Sequence, residues 1–307
     1  MEHINWYPGH MKKTRELIAK NLKLVDAVVE VCDARIPVSS RNPIIDELVA
    51  GKERVLVLNK SDLADEQATK AWLDHYRGAA MVGLRTVLAL NSMKEQSAHA
   101  LLKRLEKIEA DMNAKRAQNA DRESTAAPRR RKPLRIMVVG IPNSGKSSLI
   151  NRLAGRKSAA TGDRPGVTRG KQWLALAGGM QLLDTPGILW PKFEDPGVGL
   201  RLAFCGSIRD EVMDTADLGL ELIRLLLRDY PDMLAARFQT KGDGVNVSAC
   251  LDGGDTDCAL AVMERIAHVR GFLLPGKKID YVRTAGTVLD EFRSGKIGRI
   301  TLEHPDE

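Results

Sequence analysis

Gly140-Ile141-Pro142-Asn143-Ser144-Gly145-Lys146-Ser147 is the stretch that decides the fold. Its glycines let backbone N–H groups approach phosphate oxygens. The Lys146 ammonium can reach the β- and γ-phosphates of a nucleotide, and the Ser147 hydroxyl can ligate Mg²⁺. The flanks suit such a loop. Arg135-Ile136-Met137-Val138-Val139 is a short apolar run ending at the first glycine, as a buried parallel strand does. Ser148-Leu149-Ile150-Asn151-Arg152-Leu153-Ala154 then places Leu149, Ile150 and Leu153 on one helical face, and Gly155 closes it. Strand, loop and helix in that order predict a phosphate-binding loop with contacts from Asn143, Ser144, Gly145, Lys146, Ser147 and Ser148.

About eighty residues upstream, Asn59-Lys60-Ser61-Asp62 follows the apolar run Val55-Leu56-Val57-Leu58. It therefore sits at the C-terminal end of a strand, where α/β sheets bind ligands. The Asp62 carboxylate offers the acceptor pair that guanine N1–H and the exocyclic amine need and that adenine cannot use. Asn59 would contact the purine edge or brace the loops, and the Lys60 stem would cover the ring face. The alternative is a polar turn after a buried strand. Position weighs against that. Downstream of Thr168 the only asparagine is Asn246, followed by Val247, so no guanine tetrad follows the phosphate loop. Asn91-Ser92, ending the run Thr86–Leu90, stands where a backbone contact to the guanine oxygen belongs.

The remaining parts follow in rotated order. Asp184-Thr185-Pro186-Gly187 comes after Gln181-Leu182-Leu183. Asp184 would hold Mg²⁺ through water, and the Gly187 N–H would sense the γ-phosphate. Asp163-Arg164-Pro165-Gly166 has the same spacing, and only the preceding strand favours Asp184. The Gly/Pro-rich stretch Gly162–Thr168 reads as a switch, with Thr168 the candidate Mg²⁺ ligand when γ-phosphate is present. The order is thus base tetrad, base-edge pair, phosphate loop, first switch, second switch: a circular permutation of the usual GTPase order.

The six strand candidates are Ala27–Cys32, Val55–Leu58, Thr86–Leu90, Ile136–Val139, Gln172–Leu176 and Gln181–Leu183. Helical stretches alternate with most of them, which predicts an α/β fold with a mostly parallel, doubly wound sheet. After Asp195-Pro196 the character changes. Leu218–Leu227, Ala259–Val269 and Tyr281–Arg293 have helical spacing, so the expected division is a GTPase domain over 1–196 and a small all-helical domain over 197–307. Gln239–Asp257, rich in Gly, Asp and Ser, reads as a loop without Ca²⁺-site spacing.

The 307 residues carry a formal net charge of +7 and only 4% aromatics. A basic nucleotide-binding chain suggests a polyanionic partner. With so few aromatics, phosphate contacts and RNA shape are the better model than base stacking. Arg129-Arg130-Arg131-Lys132 and Arg135 follow the polar, Ala-rich stretch 114–127. We read residues 113–134 as a linker, either a solvated tether or a nucleic-acid contact. A second basic group is Arg270, Lys277, Lys278, Arg283, Arg293, Lys296 and Arg299. Cys32, Cys205, Cys250 and Cys258 lack metal-type spacing, and no apolar run is long enough to span a bilayer. A cytoplasmic monomer is expected.

The tetrad, the phosphate loop and Asp184–Gly187, with the opening Trp6-Tyr7-Pro8-Gly9-His10-Met11, resemble the circularly permuted ribosome-assembly GTPases of the RbgA (YlqF) type. Asp33-Ala34-Arg35-Ile36-Pro37, Phe193-Glu194-Asp195-Pro196 and Asp290–Ile300 extend the resemblance over almost the whole chain. The basic linker departs from it. The resemblance implies GTP hydrolysis to GDP coupled to late assembly of the large (50S) ribosomal subunit, with the C-terminal domain docking on ribosomal RNA. Permuted GTPases of the small subunit usually add an N-terminal barrel or a zinc module; here the tetrad arrives by residue 59 and no zinc spacing exists, which weighs against a small-subunit GTPase but leaves it as an alternative.

Ile188 stands where many GTPases have the glutamine that orients the attacking water, and an aliphatic side chain cannot do that. The resemblance points to His10 in this role; the plain alternative is a histidine satisfied in an N-terminal turn. It also implies that Asn143 can help hold a K⁺ ion against the phosphates; the alternative is a loop asparagine in a tight turn. Two further readings remain open. One is a nucleotide-gated RNA-binding switch with little hydrolysis, and the other an ATP-using P-loop enzyme.

Overall fold

The computed structural model describes residues 16, 18–49, 51–79, 81–122, 131–155, 172–184, 195–208, 213–238 and 256–305. The chain divides into two compact units, Met1–Glu194 with Thr301–Glu307, and Asp195–Ile300.

The first unit is built on six strands among the described residues: β1 (Ala27–Asp33), β2 (Glu53–Asn59), β3 (Leu84–Ala89), β4 (Arg135–Val139), β5 (Gln172–Ala175) and β6 (Gln181–Asp184). All six expected runs form strands, in the order β3-β2-β1-β4-β6-β5. Neighbours are parallel except β5, which is antiparallel to β6. Every residue of β1 is buried, as a central strand covered on both faces must be. From β1 the chain winds out to β3, then returns to β4 on the other side. Strand order therefore reverses between β1 and β4, and that crevice is where a doubly wound sheet binds its ligand.

Helices α1 (Pro43–Leu48), α2 (Glu66–Gly78), α3 (Glu95–Arg122) and α4 (Lys146–Leu153) belong to this unit, as does a helical stretch over residues 18–22. On one face Val29, Val31, Val55, Val57, Ile136 and Val138 pack with Leu101, Leu105, Leu149 and Leu153 from α3 and α4. On the other face lie two smaller clusters, Val28, Ile45, Met137 and Leu183, and Cys32, Leu56, Leu58, Trp72 and Tyr76. Each fully buried side chain of this kind contributes roughly 1.5–3 kcal/mol. The strand reading gave no hint of the buried ion pair Glu30–Arg54 on neighbouring strands, or of Asp46, whose carboxylate lies 2.5 Å from Arg54 Nη1.

The expected linker over 113–134 is corrected at both ends. Helix α3 continues through Arg122, because Ala, Lys, Arg and Gln are strong helix formers even where no apolar face supports them. At the far end, Lys132 N donates to Asn113 Oδ1 and Asn113 Nδ2 to Lys132 O, each at 3.2 Å. Arg131 pairs with buried Glu109 at 2.8 Å, so this end is bound to α3 rather than free. Arg129 and Arg130 lie outside the described residues.

The second unit holds α5 (Pro196–Phe204), α6 (Thr215–Asp229), α7 (Pro231–Phe238), α8 (Thr256–Arg270) and α9 (Tyr281–Arg293). Asp195, Asp214 and Asp280 cap α5, α6 and α9 by accepting backbone N–H bonds. Helices α6 and α9 cross closely at Gly219, where an added Cβ would lie 2.4 Å from the Ala285 Cβ. Glu291 of α9 takes a bidentate pair from Arg237 at 2.8 Å. The unit is not wholly helical: β7 (Leu273–Leu274) and β8 (Lys278–Ile279) make a short hairpin, too brief to leave a periodic signal. The proposed loop over 239–257 lies outside the described residues, except that 256 and 257 begin α8.

The expected domain boundary needs a second correction. Thr301–Glu307 belong to the first unit, not the helical one. Thr301 Oγ1 accepts Asp65 N at 3.0 Å, and Glu303, only 5% exposed, accepts Val38 N at 2.6 Å. These hydrogen bonds tie residues 301–303 to the sheet unit, although the sequence places them in the expected helical domain over 197–307.

Candidate nucleotide site

The phosphate loop starts where β4 runs alongside β1. Val139 pairs with Glu30, so Gly140 faces Val31. A Cβ on Gly140, which has φ +150°, would sit 2.2 Å from the Val31 carbonyl oxygen. Only glycine fits there. Asn143 follows with φ 58°. The Ser144 hydroxyl donates to Ile141 O at 3.0 Å, and the Lys146 ammonium, only 6% exposed at its residue, folds back onto the same carbonyl. Gly145 caps α4 in the left-handed region, and the first turn of α4 carries no acidic residue. A helix N-terminus and a lysine come together at this loop, an arrangement suited to an anion.

The expected guanine tetrad leaves β2 at Asn59. Of the two roles left open for Asn59, the geometry is that of a brace. Its Nδ2 donates to Ser144 O at 2.7 Å, and its Oδ1 accepts Ser92 N at 3.0 Å. It is 0% exposed. One amide thus ties the tetrad, the Asn91-Ser92 pair and the phosphate loop together. Gly145 is the counterpart: a Cβ there would come within 2.1 Å of Asn59 Nδ2. Ser61 N donates to Leu90 O at 3.1 Å, which holds the tetrad against β3's exit. Asn91 Oδ1 accepts Met93 N at 2.9 Å, closing a local turn. Asp62 is exposed beyond this scaffold, available to a base, and Ser147 and Ser148 are half-buried at the start of α4.

Two groups that sequence reasoning assigned no role complete the base side. Asp33 ends β1 opposite Asn59. Its carboxylate lies 3.0 Å from Lys60 Nζ and accepts Arg35 Nε at 2.9 Å and Arg35 Nη2 at 2.8 Å. Burial by itself would raise this carboxyl, but the Arg35 guanidinium and the Lys60 ammonium hold it well below the usual range. The available signal was the polar Asp33 closing an otherwise buried strand. Glu303 left none.

Mg²⁺ chemistry asks for hard oxygen donors. Ser147 is the second residue of α4, which follows β4 through the phosphate loop, and the Asp184 backbone ends β6, the parallel neighbour of β4. That placement fits the ion. Thr168, Gly187, Ile188 and His10 lie outside the described residues.

Residues 135–235 match the family model described as 50S ribosome-binding GTPase. The chain is 40% identical to ribosome biogenesis GTPase A of Bacillus cereus over 305 residues, covering 99% of this chain and 95% of that one. It is 33% identical to mitochondrial ribosome-associated GTPase 1 of Bos taurus, over 97% of this chain and 88% of that one. Among solved structures, GNP-bound YlqF from Thermotoga maritima superposes with a TM-score of 0.62 at 26% identity, covering 96% of this chain and 99% of that one.

Proposed function

Since the chain belongs to the ribosome biogenesis GTPase A family, and is thereby a GTPase on a permuted P-loop fold, we propose that it hydrolyses GTP during late assembly of the large ribosomal subunit. The observation that carries the site reading is the Asn59 brace. It ties the tetrad to the phosphate loop, so base and phosphates belong to one nucleotide.

In this reading Asp62 accepts the guanine N–H groups and Lys60 covers the ring. Lys146 and the loop N–H groups bind the phosphates. Ser147, Asp184 and Thr168 would hold Mg²⁺, which would supply charge compensation to the phosphates. Gly187 senses the γ-phosphate. Water attacks the γ-phosphorus as its bond to the β,γ-bridging oxygen breaks, giving GDP and phosphate. His10 orients that water in place of the glutamine that Ile188 replaces, and Asn143 would hold a K⁺ ion. Ribosomal RNA is met by the basic end of the second unit, Arg270, Lys277, Lys278, Arg283, Arg293, Lys296 and Arg299, and the protein works as a cytoplasmic monomer. Ile188 also favours a second reading, an RNA-binding switch in which hydrolysis is incidental.

Sedimentation of the protein, loaded with a non-hydrolysable GTP analogue, with separated ribosomal subunits tests the proposal. Co-migration with the large subunit, together with faster GTP turnover in its presence, is expected. Binding only to the small subunit overturns the partner, and unstimulated turnover favours the switch.

A further inference from the structure

Behind the base tetrad runs a chain of contacts that the reaction above does not use. Lys60 is held by Asp33, and Asp33 by Arg35. The Arg35 carbonyl accepts Leu302 N at 2.8 Å. The Glu303 carboxylate accepts Val38 N at 2.6 Å, Ser39 N at 3.0 Å and the Ser39 hydroxyl. Its backbone carbonyl accepts Trp72 Nε1 at 2.8 Å. Thr301 Oγ1 takes Asp65 N, three residues past Asp62. Residues 301–303 thus grip the turn before the tetrad and the helix start after it. Burying a carboxylate is costly unless hydrogen bonds compensate it. A segment that only covered apolar surface would use apolar side chains. A charged acceptor aimed at two N–H groups and a hydroxyl instead fixes the orientation of the turn it holds.

We infer that Leu302 and Glu303 are positioning residues for guanine recognition. By fixing the turn 35–39 they hold Asp33 and Arg35 where Asp33 sets the Lys60 ammonium, and with it the Lys60 stem over the purine face. The inference rests on the tetrad being the guanine site.

The test is fluorescence titration of the full chain with a labelled GDP, for wild type, Glu303→Gln, Lys60→Ala and the double variant, with thermal unfolding in parallel. Glu303→Gln is expected to weaken GDP about fivefold in the wild-type background. With Lys60 already removed, the same change should cost less than about twofold, because the positioned group is gone. Equal losses in both backgrounds would mean that Glu303 acts only through general stability, and no loss in the first would mean the contact is idle. Either overturns the inference. If Glu303→Gln does not fold, Ser39→Ala, which removes only the hydroxyl held by Glu303, is compared with Ser39→Ala/Lys60→Ala by the same criterion. Asp62→Asn, titrated with GDP and xanthosine diphosphate, separates the two layers. If it does not shift preference toward xanthosine, the tetrad reading fails and the inference with it. If it does shift, and Glu303→Gln behaves as either overturning case, only the inference fails.

Discussion

Asp33 is 1% exposed and carries its charge between a guanidinium and an ammonium. Removing that charge while keeping the shape leaves Arg35 buried without its counter-ion. Asp33→Asn is therefore expected to cost about 3 kcal/mol at neutral pH, read from urea unfolding. The pH dependence has a definite sign. The carboxyl is held low in the folded protein, so its contribution is fully present above the unfolded value of about 3.9. It is lost as pH falls toward the folded value. The gap between wild type and Asp33→Asn should stay constant from about pH 8 to 5 and narrow below about pH 4. A gap that does not narrow would show that hydrogen-bond shape, not charge, holds the turn. Cys32, one residue earlier, contributes no such switch; burial and then the nearby Glu30 push its thiol upward, so it stays neutral.

At the scale of elements the sharpest test lies in the second unit. Gly219 lets α6 and α9 approach until an added Cβ would overlap Ala285. Gly219→Ala should cost about 1–3 kcal/mol in thermal unfolding despite its better helix propensity, because overpacking at a crossing outweighs the gain. An unchanged or raised Tm would contradict the close crossing. The sequence reading of Leu218–Leu227 as a helix assigned this glycine no role, since its partner is in another element. The same division explains what was legible elsewhere. Six strands were legible because each is a short apolar run, most of them ended by a motif. The phosphate loop was legible because its contacts are local. Asn59 was left between two roles because its partners, Ser92 and Ser144, are 33 and 85 residues away. Helix α3 beyond residue 113 was read as tether because an exposed helix and a polar linker share a composition. The Glu30–Arg54 pair was invisible because ionic residues inside strands can be paired only across a sheet.

For the whole molecule, the assignment of residues 301–307 to the first unit changes what a boundary experiment should find. Were the tail part of the helical unit, ending the chain at Ile300 would leave nucleotide binding alone. With Thr301–Glu303 bound beside the tetrad, the same truncation should weaken GDP by about fivefold or more and lower the melting of the first unit. Unchanged GDP binding would return the tail to the second unit. A further consequence concerns time. Translation is vectorial, so the tetrad leaves the ribosome first, the phosphate loop second, and Thr301 is joined 236 residues after its partner Asp65. Between the synthesis of Gly187 and that of Thr301 the nascent chain can hold every motif for GTP while its base pocket still lacks its backing. Full grip on guanine comes only when those late residues fold home.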